Sequence, residues 1–350
     1  MTRHRGIASS PRPALSTGRP RRLDQVANPF GPSAQVFEAL TTADRLLHLN
    51  DNDVQRLGQR LASHAGIDAD QLVLANGMDE LLDMILLWRR HRGPVVLFPP
   101  TDPSHRAIVE RHSEDILEYR RTSSFAAFDP LASQVPDIPA GSTAIVQSPN
   151  DPSGTLLSTP DAVRLARVCE LVVVDERHGE YAARSLLPVA QEFNNVIVAR
   201  SFETWAGLSG LPFAYAVAPR RLAGELRGYL RPSGIAAAAA VAVAATLDDM
   251  AYMQATVRRV RQERTRLWRT LRKLNMVRVP YPTSSNFILT RIERGDAGFF
   301  ARELERRGIM VHRPSDPQLT ERHLRITATT PEQTEALKRA LIEIAAAELN

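Results

Sequence analysis

The sequence predicts an α/β protein: a large domain built on a mostly parallel sheet covered on both faces, followed by a smaller α/β domain. Three observations carry this. GPVVLFPP (93–100), STAIVQSP (142–149), LVVVDE (171–176) and NVIVARSF (195–202) are short apolar runs of the kind that form buried strands. Helical segments separate several of them, notably TPDAVRLARVCE (159–170), and strands interleaved with helices favour a parallel sheet in a three-layer arrangement. After about residue 232 the pattern changes to long helices and then a new alternation of strand and helix.

In chain order, residues 1–40 are rich in Pro, Ser and Gly and read as an N-terminal arm over the body. DVQRLGQRLASHAG (52–65) is an amphipathic helix, DQLVLANG (70–77) a short strand and turn, and MDELLDMILLWRR a helix. The four buried strands complete a large domain over 41–234. The small domain, 235–350, starts with an alanine-rich helix at 234–245 and a charged helix around 252–275. SNFILTRI (285–292) and LRITAT (324–329) are strands flanking the helix FFARELERRG (299–308). The closing helix begins with proline, which suits a first turn.

Composition excludes several classes. The 350 residues carry a formal charge of +5, almost wholly from arginine, with lysine only at Lys273 and Lys338. The one concentrated basic stretch, RRVRQERTRLWRTLRK (258–273), has helical periodicity, so it reads as a solvated helix face and no nucleic-acid partner is expected. GIAAAAAVAVAA (234–245) is too short to cross a bilayer. The N-terminus lacks the apolar core of a secretory signal, so a cytoplasmic location is expected. Cys169, the single cysteine, reads as a buried structural thiol. Trp88 and Trp268 fit helix packing.

A series of motifs spans nearly the whole chain: NPFGPS (28–33), LANGMDELLD (74–83), FPPTD (98–102), SPNDPSG (148–154), VVVDERHGEY (172–181), ARSFETWAGLSGLPFAY (199–215), SSNFILTR (284–291) and HLRITATTPEQ (323–333). Their order and spacing resemble the fold-type I pyridoxal-phosphate enzymes, in the branch of histidinol-phosphate aminotransferase and threonine-phosphate decarboxylase.

That resemblance implies a catalytic lysine in a segment similar to S-K-x-x-G-x-x-G-x-R, and the alignment puts Thr204 there. A hydroxyl cannot form the imine that holds the coenzyme aldehyde. Further replacements are implied. Glu203 stands for a phosphate-binding serine, Pro212 for a phosphate-binding arginine, Asp102 for the ring that stacks on the pyridine, and Asp151 and His178 for the asparagine and tyrosine partners of the ring oxygen. Asp175 keeps the role of pairing with the ring nitrogen if pyridoxal or pyridoxamine phosphate binds. Arg325 matches the arginine that grips a substrate carboxylate by a forked pair of hydrogen bonds. Arg200 is a generic strand-end arginine.

Asp102, Asp151, Asp175, His178, Glu203 and Thr204 are expected to converge on one cavity, with Trp205 at its edge or filling space beside it. Several acids in one cleft repel unless cations or donors offset them. The expectations are a cationic substrate with His178, Glu203 or Asp151 acting on it, a divalent metal on oxygen ligands and one imidazole, or a polar cavity of water and local ion pairs; no metal is assigned. The resulting functional expectation is a divergent, pyridoxal-phosphate-independent protein that binds or transforms a small amino-acid-like metabolite, ordinary transamination having been lost. Two alternatives stand beside it: a noncatalytic binding or structural partner, and an enzyme that uses pyridoxal or pyridoxamine phosphate without an internal Schiff base, with His178 as proton-transfer base. The resemblance also implies a homodimer.

Overall fold

The computed structural model describes residues 20–41, 51–90, 92–128, 137–230 and 234–348. Most of the N-terminal arm, residues 1–19, thus lies outside the described residues.

Seven strands form the main sheet: β2 (Leu72–Ala75), β3 (Val95–Leu97), β4 (Ile116–Glu118), β5 (Thr143–Gln147), β6 (Leu171–Asp175), β7 (Val196–Ser201) and β8 (Ala214–Val217). Their spatial order is β2-β8-β7-β6-β5-β3-β4. β4, β3, β5, β6 and β7 run parallel, and β8 lies antiparallel between β7 and β2. A two-residue side-chain period sends alternate residues to opposite faces. Leu97, Ile145, Val173 and Ile197 pack into one apolar cluster, while Val96, Val146, Val172 and Val198 pack into another.

Helices cover both faces. α1 (Ala34–Thr41) and α2 (Asp51–Ala65) precede the sheet, and α3 (Met78–Trp88) follows β2. α4 (Pro103–Glu110), α5 (Thr159–Val168), α6 (Leu187–Glu192) and α7 (Arg220–Arg227) lie between or after the sheet strands. Local chemistry fixes their starts. Asp102 accepts from Ser104 N at 2.9 Å ahead of Pro103, and Ser158 accepts from Asp161 N at 3.1 Å ahead of α5.

Beyond residue 234 come α8 (Ala237–Asp248), α9 (Met250–Leu271), β9 (Val277–Arg278), β10 (Phe287–Ile292), α10 (Ala297–Arg306), β11 (Ile309–Met310), β12 (His323–Thr327) and α11 (Pro331–Glu348). β12, β10 and β9 make an antiparallel sheet. Its separate core joins Ile288, Leu324 and Ile326 to Leu267, Phe300, Leu304, Leu337 and Leu341 from the helices. β1 (Arg21–Arg22) pairs in parallel with β11, tying the N-terminal segment to this part. Among the described residues no helix is long and apolar enough to cross a membrane.

Candidate active site

Because β3, β5, β6 and β7 are adjacent and parallel, the segments leaving their C-terminal ends meet at one edge of the sheet, where open α/β sheets place ligands. Asp102 follows β3, Asp151 follows β5, Asp175 ends β6 with His178 three residues on, and Glu203, Thr204 and Trp205 follow β7.

Asp175 is fully buried and its carboxylate is saturated from inside the chain. Oδ2 takes His105 Nε2 at 2.9 Å and Arg177 Nε at 2.7 Å, and Oδ1 takes the Arg177 backbone N–H at 2.9 Å. Burial alone raises a carboxyl pKa, but the Arg177 guanidinium and His105 outweigh it and hold Asp175 well below the usual carboxylate range. Arg177 also donates through Nη1 to Asp102 Oδ2 at 3.1 Å. Burial likewise works to raise Asp102, and Arg177 and His105 more than offset it.

The second cluster is Asp151 with Arg325. Arg325 Nη1 donates to Asp151 Oδ2, Nη2 donates to Asp24 O at 2.7 Å, and the guanidinium lies 5.3 Å from the centre of the Phe287 ring. Asp151 N donates to Gln147 Oε1 at 2.8 Å. His178 is 1% exposed and edge-on to Phe287, and neither ring nitrogen has a partner among the described residues. Burial pushes its pKa down to about 4 against the pull of Asp151, so the ring is neutral. Arg177 Nη2, Arg325 Nε and Gln147 Nε2 are buried donors also lacking a partner there.

Glu203 accepts from the first backbone N–H of α3, Met78 N, at 3.2 Å. Burial raises its pKa, with Arg177 pulling the other way. The approach is close: a Cβ on Gly77 would meet Pro212 Cβ at 2.9 Å and Glu203 Oε1 at 3.1 Å. Thr204 Oγ1 donates to Arg177 O at 2.8 Å. Trp205 packs in an apolar cluster with Phe202, Phe213 and Tyr215, and its Nε1 donates to Ser201 O at 2.7 Å, so the indole fills the core with its one donor spent. Arg200 belongs to a different network, with Glu176 and Glu180.

The structure therefore brings the expected acids together but corrects their electrostatics. Arg177 spans Asp175 and Asp102 and Arg325 pairs with Asp151, so three of the four carboxylates have a cationic partner in the chain. Among the described residues no group of three or more His, Cys, Asp or Glu can hold a metal ion, which leaves the metal alternative without a ligand set. Sequence reasoning missed Arg177, His105 and Gln147. Arg177 sits inside the quoted DERHGEY, and its spacing of two from Asp175 was the available signal.

In this arrangement the residues do not fit a bound pyridoxal phosphate. The ring-nitrogen partner is held by Arg177, Glu203 and Pro212 supply no phosphate donor where the resemblance puts one, and Thr204 supplies no amine. Lys273 lies just past α9, and Lys338 on α11 pairs with Glu335 at 3.3 Å.

Comparison with known proteins bears on the activity class. The family description Aminotransferase class I and II matches residues 23–341. A histidinol-phosphate aminotransferase of Dehalococcoides mccartyi is 29% identical over 326 residues, covering 92% of this chain and 90% of that protein. Among solved structures, histidinol-phosphate aminotransferase of Sinorhizobium meliloti in complex with pyridoxal-5'-phosphate superposes with a TM-score of 0.82 at 22% identity, covering 95% of this chain and 92% of the other. L-threonine-O-3-phosphate decarboxylase of Porphyromonas gingivalis gives 0.80 at 19% identity, covering 93% and 99%.

These findings confirm the resemblance and the fold and correct the functional expectation. Relatives matched along almost the whole chain are named aminotransferases. The step from Thr204 in the lysine's aligned position to a pyridoxal-phosphate-independent protein or a pseudoenzyme is overturned by them, and they favour the alternative that keeps the coenzyme.

Proposed function

The chain belongs to the aminotransferase class I and II family, and from that premise we propose that it is an aminotransferase-type enzyme for a small amino-acid-like metabolite, using pyridoxal or pyridoxamine phosphate without a Schiff-base lysine. The observation that carries this reading is the match to named aminotransferases over 92% of the chain. Asp175, at the end of β6, stands at the position that the resemblance pairs with a ring nitrogen, with Arg177 as its partner in this structure.

Within the same reading Arg325 binds the substrate carboxylate, offering Nε at once and Nη1 on exchange with Asp151. His178 is the proton-transfer base, since it is neutral and neither nitrogen has a partner among the described residues. The division into arm (1–40), large domain (41–234) and small domain (235–350), a homodimeric assembly and a cytoplasmic location belong to the proposal too. The first of these is supported by the two separate sheets and cores.

The test is an absorbance titration of the purified chain with pyridoxamine phosphate, followed by addition of 2-oxo acids and of histidinol phosphate as an amino donor with the aldehyde form. An amine-form band that binds saturably and is converted by an oxo acid supports the reading. Saturable binding with no amino transfer to or from any member of the panel overturns it.

A further inference from the structure

A second cleft, in the C-terminal part, shares no residue with the candidate active site. Three elements build it: the turn that ends α9, the turn after β10, and α11. The two turns are tied together by the Glu293 backbone N–H, which donates to Met276 O at 2.9 Å. α11 packs Leu337, Leu341 and Ile344 into the core that also holds Leu274. Ile342 points off that stripe and is left 47% exposed. The cleft has a volume of 590 Å³, and its walls include Leu274, Met276, Ile342 and Ala345 together with Lys273 and Arg294. Small-molecule sites span about 300–1,000 Å³, so the size suits a compact ligand.

Apolar walls alone name no occupant; here the charge does. Lys273 closes the basic stretch over 258–273. Within that stretch Arg272 lies 4.5 Å from the centre of the Trp268 ring, and Arg266 pairs with Glu263 at 3.0 Å. Lys273 and Arg294 are both exposed, and neither has an acidic partner among the described residues. The acids beside the cleft in sequence are committed elsewhere. Glu293 lies 3.5 Å from Arg278 and 3.7 Å from Arg291, and Glu343 lies 3.6 Å from Arg307. Asp296 caps α10, accepting from Phe299 N at 2.7 Å. Two cations without counter-charge on an apolar cleft concentrate anions there, and their aliphatic stems extend the apolar surface.

We propose that this cleft binds an amphipathic monocarboxylate of medium chain length, its alkyl chain over Leu274, Met276 and Ile342 and its carboxylate at Lys273 and Arg294. Half of the recognition is burial of the chain, and half is the supply of a counter-charge that the fold leaves missing. The site is independent of the aminotransferase reading, since it uses none of the residues on which that reading depends.

The experiment is calorimetric titration of the full chain with sodium octanoate, flanked by hexanoate and decanoate. Octylammonium chloride, which keeps the body and reverses the charge of the head, is the control. Octanoate should bind saturably at one site per chain, each added methylene tightening binding by about two- to four-fold, and octylammonium should not bind. The double substitution Lys273→Gln with Arg294→Gln should weaken octanoate by about five-fold or more. Ile342→Asp, which puts an anion on the apolar wall, should abolish saturable binding. All three side chains are exposed, and melting temperature checks that the variants fold. Octanoate that does not saturate, octylammonium that binds as tightly, or variants that bind as the wild type does overturn the proposal.

Discussion

Arg325 and Asp151, 174 residues apart, form an ion pair in which each side chain keeps only 9% of its surface exposed. The pair joins the C-terminal antiparallel sheet to the loop after β5, and it commits one arm of the arginine that the family resemblance assigns to a substrate carboxylate. A carboxylate arriving at Arg325 must compete with one already there, so the grip is weaker than an uncommitted fork would be.

Asp151→Asn removes the competing charge at nearly constant volume. The affinity of a simple 2-oxo acid, measured by calorimetry, should rise several-fold. Stability in chemical denaturation should fall by about 3 kcal/mol, because a buried guanidinium loses its counter-charge. A folded variant with unchanged affinity would show that Arg325 does not receive the substrate.

Cys169 is 6% exposed, and burial pushes its thiol pKa up to about 11. Reactivity follows the thiolate, which is scarce there at neutral pH. A chromogenic disulfide reagent should leave the native chain unmodified and titrate its single cysteine once denaturant is added. Rapid native-state reaction would contradict the helix-to-strand placement of this residue.

The fold was legible where burial is two-sided. Residues 95–97, 144–146, 171–174 and 196–199 are unbroken apolar runs because helices cover both faces. β4 and α6 are too short to carry a period, and sequence reasoning passed over them. At the site the acids were legible by position but their charge balance was not. Arg325 neutralises Asp151 across 174 residues, which no local pattern encodes. Arg177 lies two residues from Asp175 but 75 from Asp102, and the direction of a long flexible side chain is set by the fold. His105 reaches Asp175 only because α4 presents it there.

Gly207 has φ of +72°, and a Cβ on it would sit 2.8 Å from Gly31 C and 2.9 Å from Pro32 N. Those are backbone atoms of the segment that Thr204 O and Trp205 O hold through Asn28, so they cannot step aside as a flexible side chain would. Gly207→Ala should cost more than about 1 kcal/mol in urea unfolding. Gly210→Ala, with no heavy atom within 4 Å of its added carbon, should be close to neutral. Equal effects at the two positions would remove the steric account.

His178 should make the fold acid-sensitive, and the sign follows from proton counting. Its pKa falls from an ordinary 6.5 to about 4 because burial disfavours the charged ring, while Asp151 and Asp175 pull it up and Arg177 and Arg325 push it down. Between those values the unfolded chain carries a proton that the folded chain does not. Stability therefore rises with pH across the window, is fully present above 6.5, and is lost as pH falls toward 4, by up to about 3 kcal/mol. Burial also lowers His64, His312 and His323, so the wild-type slope contains their contributions. The difference between the wild type and His178→Phe isolates this residue. Urea unfolding at about pH 8 and about pH 5 should show the wild type losing more stability than the variant on acidification. Parallel losses would mean that the buried imidazole is already protonated or that acid reaches it without unfolding, and either would remove His178 as a neutral base.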